Sequence, residues 1–314
     1  MKQFLPILVL VCSAWSQVGG DPRPATSQAA QPVSTEPASP QSGSQAAGTA
    51  PASSASAVPA DQENARKAKA ILEQAIQALG GQNYLSLRDR EQQGRSYGFH
   101  HGRPTGAGGL FWSFWEFPDK ERVELTKERD ISELYVGNKG FELTYKGAHP
   151  IEKKELEDYL RRRRFSLDNL LRTWVNDPAV VLLSDGFAIA AQHPSQQVTL
   201  INAQDESVTL YIDTDTHLPV KKSFSWRDPV DRQKNIEEEV YDDYKPASGV
   251  MAPYSVTRFF NGDMASQRFI NSVTINQPLD QAMFDPNSGY NPNKPVGKQD
   301  KKHSRELWFA SEVR

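Results

Sequence analysis

Two adjacent histidines, His100-His101, are the first residues whose type could do chemistry, since imidazole is the commonest metal ligand. On a strand, neighbouring side chains point to opposite faces, and no third ligand stands at a completing distance, so the pair predicts no metal site. Glu237-Glu238-Glu239 with Asp242-Asp243 carries enough carboxylate for calcium. The Asp-x-Asp-x-Asp-Gly loop that folds carboxylates around that ion is missing, and a solvated strand edge is the better reading. Asp213-Thr214-Asp215-Thr216 reads as a turn closed by Asx side-chain bonding. Serines are abundant, yet none sits in a Gly-x-Ser-x-Gly elbow. The residues therefore predict no catalytic group, no metal and no cofactor, and the chain is not expected to be an enzyme.

Binding chemistry is better represented. Arg161, Arg162, Arg163 and Arg164 are consecutive, and on a helix they spread around the circumference and cannot all be buried. Near an anionic membrane surface each basic residue contributes roughly 1 kcal/mol, which makes the run a candidate for headgroup contact. A solvated helix paired with Glu155, Glu157 and Asp158 is the competing reading. The segment Leu110 to Phe117 is apolar on both faces, so both must be covered. Trp112 and Phe114 are taken as the set facing an inner cavity, ahead of Phe111 and Trp115. Val220, Phe224 and Trp226 share one face of a later strand, opposite Lys221, Ser223 and Ser225, and with Trp174 they complete the candidate lining.

The elements that must position these residues follow from periodicity. Ala68, Ile71, Leu72, Ala75, Ile76 and Leu79 recur at helical spacing behind Asp61, a candidate N-cap, and Gly80-Gly81 ends the run. Beyond Tyr84 the pattern becomes extended, with strands at 85–98, 109–117, 122–127, 131–137 and 140–146. A second helical stretch covers about 151–175, with a break that Ser166 can cap. Strands return at 186–192, 197–202, 207–213, 219–227, 236–244, 253–261 and 264–277, the last two joined by an Asn-Gly turn at Asn261-Gly262. No βαβ alternation is present, so the expected class is mainly β with helices (α+β), a long, curved antiparallel half-barrel.

The chain has 314 residues, 38% hydrophobic, with a net charge of -3, which speaks against a nucleic-acid partner bound through overall basicity. Met1-Lys2-Gln3, the apolar run Phe4 to Cys12 and Ala14-Trp15-Ser16 read as a secretory signal over 1–20. Its removal would take Cys12, the single cysteine, with it. Residues 21–60 are rich in Ala, Ser, Pro and Gln and are expected to be a disordered linker; a folded domain over 61–286 and a polar tail over 287–314 complete the organisation.

Several pieces in order resemble the periplasmic lipoprotein carriers and receptors of the LolA/LolB type, including the outer membrane lipoprotein-sorting proteins. They are Ala78-Leu79-Gly80-Gly81, Trp115-Glu116-Phe117-Pro118-Asp119-Lys120-Glu121-Arg122, Val136-Gly137-Asn138-Lys139-Gly140-Phe141 and Leu210-Tyr211-Ile212-Asp213 running on to Pro219. Tyr241-Asp242-Asp243-Tyr244, Gly249-Val250-Met251-Ala252-Pro253 and Asn276-Gln277-Pro278-Leu279-Asp280 follow. The resemblance implies a half-barrel of about eleven strands with a helical lid over an apolar cavity. It further implies binding of lipid or lipoprotein acyl chains without catalysis, in the periplasm, by a monomer with a membrane surface or a protein as partner. A hinge at Arg164-Phe165-Ser166 would let the lid move, and Arg88, Arg90 and Arg95 are candidates for the arginine that locks it. The alternative on the same scaffold is an envelope-sensing or protein-interaction module whose cavity is filled by its own side chains.

Overall fold

The structure is a computed structural model and describes residues 60–293. The signal segment 1–20, residues 21–59 of the linker and residues 294–314 of the tail lie outside the described residues.

Helix α1 (Ala60–Leu79) buries Ala68, Ile71, Leu72, Ala75, Ile76 and Leu79, the apolar stripe of its sequence, and Asp61 lies inside its first turn. It ends at Gly80, whose φ of +129° a side chain would strain, and where a Cβ would stand 2.5 Å from the Gly249 carbonyl oxygen. A short turn of helix, α2 (Gln82–Leu85), leads into the sheet.

Among the described residues, fourteen strands form that sheet. The first meander comprises β1 (Asp89–His100), the two-residue β2 (Arg103–Pro104), β3 (Gly109–Glu116), β4 (Lys120–Leu125), β5 (Ile131–Val136), β6 (Lys139–Thr144) and β7 (Gly147–Pro150). The second comprises β8 (Val181–Ala190), β9 (His193–Ile201), β10 (Ser207–Asp213), β11 (Pro219–Arg227), β12 (Lys234–Ala247), β13 (Val250–Phe260) and β14 (Asp263–Ile275). Pairing of β1 with β14 joins the two, giving the order β7-β6-β5-β4-β3-β1-β14-β13-β12-β11-β10-β9-β8, with β2 appended to β1. The ends β7 and β8 do not pair, so the curved sheet stays open, as a half-barrel requires. The expected class holds with fourteen strands in place of about eleven. β2 and β7 are too short to carry a period of two, and β8 starts at Val181, ahead of the expected 186, because a bulge at Ser184/Gly186 hides the alternation of its first half.

The chain crosses from edge β7 to edge β8 through α3 (Lys153–Arg164), α4 (Leu167–Arg172) and a 3-10 turn (Trp174–Asn176). Ser166 caps α4, its hydroxyl accepting from the Asn169 N–H at 3.3 Å, so the break falls where the sequence places it. The main core lies between one sheet face and α1 with α4: Leu72, Phe165, Leu170, Leu171 and Trp174 pack on Leu200, Leu210 and Phe224. On the opposite face of the first meander the segment after β14, with its 3-10 turn Gln281–Phe284, packs Met283 and Phe284 against Phe114 and Leu134.

Candidate functional site

The α3–α4 connection is a lid whose two halves are held differently. Helix α4 and its flanks are embedded: Leu170 and Leu171 are fully buried, and the Phe165 ring stacks on Phe224 with centroids 4.4 Å apart and meets Trp174 edge-on at 5.7 Å. None of the side chains of α3 is buried. It touches the sheet through a Tyr135–Tyr159 stack at 3.5 Å, a hydrogen bond from Tyr159 Oη to Glu121 Oε2 at 2.9 Å, and Arg161, whose guanidinium lies 3.4 Å from the Trp226 ring centroid. At Gly140 a Cβ would meet Leu156 of α3 at 3.0 Å, so glycine lets the helix approach β6.

A latch ties α4 to β1. Arg90 Nη2 stands 3.2 Å from Asp168 Oδ2, and the same guanidinium lies over the Trp115 ring at 4.9 Å. Of the three candidate arginines, Arg90 makes this contact. Arg172, also on α4, donates to the Leu85 carbonyl at 3.2 Å and covers the Phe117 ring at 3.9 Å. Burial, and next the Asp168 carboxylate, push the Tyr84 phenol up, so it stays a neutral neighbour of the latch.

Beside the apolar core the helix-covered face carries a buried charged network. Lys222 Nζ lies 2.9 Å from Glu239 Oε2, and Tyr241 Oη donates to the same oxygen at 2.6 Å. Burial alone would raise the Glu239 carboxyl, but Lys222 and Tyr241 outweigh it and hold it down at about 2. Trp226 Nε1 donates to Glu237 Oε1 at 3.2 Å, while Arg161 and Arg258 approach Glu237 at 3.7 and 3.8 Å. The expected solvated edge at Glu237-Glu238-Glu239 is thus corrected: β12 lies between β11 and β13, and alternation turns the buried Glu237 and the half-buried Glu239 to the helix-covered face and Glu238 to the other, 2.6 Å from Lys221. Lys222 was missed as a site residue, yet it shares the period-two face of Val220, Phe224 and Trp226. At Asp213 the Asx turn is as expected, with Oδ1 accepting from the N–H groups of Asp215 at 3.0 Å and Thr216 at 2.7 Å.

Of the predicted lining, Phe224, Trp226 and Trp174 come together in the main core and Val220 is buried on β11. Trp112 and Phe114 do not join them. They face Met283 and Phe284 on the opposite side of the sheet, and it is Trp115 that packs against the helix-covered core. Both alternating sets of β3 are apolar because each has its own cover, so the strand's sequence does not tell one from the other. The four arginines separate. Arg161 lies on Trp226, Arg163 donates to the Asp119 carbonyl at 3.2 Å, and Arg164 pairs with Glu206. An open groove of about 920 Å³ runs between α1 and the turn at Thr216-His217, lined by Ile76, Ala78, Leu85, Val175, Glu73 and Gln74. Val175 comes from the 3-10 turn that ends the crossing, and Glu73, Gln74 and Gln77 of α1 add polar groups to the groove.

No family model and no curated protein matches the chain. Solved structures do. A DUF1329 family protein from Desulfovibrio piger aligns with a TM-score of 0.51 at 10% identity, covering 71% of this chain and 97% of that one. The two share a fold. LolA superfamily protein NE2245 from Nitrosomonas europaea aligns at a TM-score of 0.44 and 14% identity, over 69% of this chain and 97% of that one. A putative outer membrane lipoprotein-sorting protein domain from Vibrio parahaemolyticus gives 0.47 and 10%, over 71% and 98%.

Proposed function

We propose that the protein is a non-enzymatic carrier for the acyl chains of a lipid or lipoprotein, acting in the periplasm as a monomer, with the α3–α4 connection as its lid. The observation that carries the reading is the α3–α4 lid. It spans the sheet from edge to edge, inserts Phe165, Leu170, Leu171 and Trp174 into the apolar core, and is latched at Arg90–Asp168. Withdrawing those four side chains into water costs about 6–12 kcal/mol at roughly 1.5–3 kcal/mol each. A sixteen-carbon chain taking their place gains on the order of 10 kcal/mol at about 0.8 kcal/mol per CH₂. The exchange is close to balanced, which is what loading and release demand of a carrier. On the same face Lys222 and Tyr241 both engage the Glu239 carboxylate, in keeping with binding without chemistry.

The test is uptake of an apolar fluorescent probe by the full chain and by Asp168→Asn. Loss of the latch shifts the lid toward open and should strengthen apparent binding about tenfold, the effect of a latch contributing about 1.4 kcal/mol. Equal and negligible uptake by both proteins would refute the carrier. One observation favours a second reading, a protein-interaction module: the space under the lid is filled by Phe165, Leu170, Leu171 and Phe224. That reading predicts no probe uptake even when the latch is cut.

A further inference from the structure

Beneath α3 lies a group of arginines that neither the lid nor the latch explains. In the β13–β14 pairing Arg258 stands opposite Ser266 and Val256 opposite Arg268, which makes the two arginines diagonal neighbours on one face. Helix α3 reaches them at Arg161, which shares Glu237 with Arg258, and Arg162 is the next residue of that helix; burial first, then the charge of Arg162 and more weakly that of Arg268, push the Arg258 guanidinium down against the pull of Glu237 and Glu239. Arg258 reaches Glu237 only at 3.8 Å, and its Nε is buried without a hydrogen-bond partner. Arg268 is exposed and lies over the Phe111 ring at 5.3 Å. Glu133 is the acid facing Arg162 and Arg268, and burial raises its carboxyl in spite of them; Glu155 on α3 is raised by burial too. Both carboxyls thus carry a burial cost for the charge with which they face the guanidiniums.

The floor under the arginines is apolar and adjoins the main core through Val273: Phe111, Val123 and Ile270 are buried together, with Leu125, Tyr254 and Val256 packed beside them. Cations above an apolar strip match an amphiphile with an anionic head. Arginine's planar donor fork suits phosphate oxygens, and a phosphate between the three would replace their mutual repulsion with charge-assisted hydrogen bonds.

We propose that Arg162, Arg258 and Arg268 form a headgroup site for the phosphate of an amphiphile whose apolar chain runs over Phe111, Val123 and Ile270 toward the core that the lid fills. This names the ligand class for the carrier reading and rests on it. The experiment measures displacement of an apolar fluorescent probe from the full chain by decyl phosphate, decanol and inorganic phosphate. Decyl phosphate should bind at least about tenfold more tightly than decanol, and Arg268→Gln should remove about tenfold of that with decanol unchanged. Arg268 is exposed, so its variant leaves folding intact; Arg258→Gln, checked for native circular dichroism, should act in the same direction. Decyl phosphate and decanol binding alike, unmoved by either variant, overturns the headgroup site and leaves the carrier standing. Inorganic phosphate binding as tightly as decyl phosphate overturns the amphiphile in favour of free phosphate. Failure of every ligand overturns site and carrier together.

Discussion

Lys222 and Glu239 show how far a single pair can matter in this protein. The ammonium is buried to 1% side-chain exposure, so removing it strands a carboxylate in a low-dielectric interior. Lys222→Met is expected to lose about 3–5 kcal/mol in urea unfolding, and Lys222→Met combined with Glu239→Leu to recover most of it. The same pair fixes an acid limb. Glu239 is depressed from its ordinary 4.5 to about 2 in the fold, so its contribution is complete above about pH 4.5 and lost as pH falls toward 2. Urea midpoints of the wild type and Glu239→Gln should converge over that window; a constant gap would contradict the assignment. These residues were hidden in the sequence for a physical reason. A run of three glutamates looks solvated until pairing with β11 and β13 fixes which alternate members point inward, and that register depends on strands distant in the chain. The aromatic strand β3 posed the converse difficulty, both faces being apolar, whereas the Asp213 turn was legible because all its partners are local.

At the scale of elements, the lid is built to come apart at Ser166. α4 is anchored by apolar side chains and the Arg90–Asp168 latch, α3 by a ring stack, a hydrogen bond and arginine contacts at its rim. Ser166→Ala should cost about 1 kcal/mol through the lost cap, read as a lowered thermal midpoint. Asp168→Asn should expose the chain at Arg172 of α4 and speed tryptic cleavage there about tenfold, while strands of the sheet stay resistant. Cleavage at an unchanged rate would show that α4 does not depend on the latch. Both lid helices and their break were readable from local signals, the Leu-rich spacing and the capping serine. The latch was not, because Arg90 and Asp168 meet only once β1 and α4 are packed, and Arg88 and Arg95 are equally basic in sequence.

At the scale of the whole molecule, an antiparallel sheet with two unpaired ends leaves one face to be closed by something that crosses it. The chain supplies that cover from its own middle, between β7 and β8, where a cover can lift without disturbing strand pairing. Alternation and turn residues were enough to predict the class, while the joining of two meanders through β1 and β14 was not written in any local stretch. The central claim is that an acyl ligand replaces the lid's side chains under the sheet's curve. Hydrogen exchange of the full chain with and without saturating decyl phosphate tests it most directly. The account predicts that amides of 153–176 lose protection on loading while those of β9 to β13 keep theirs. Unchanged protection across the lid at saturating ligand would contradict it.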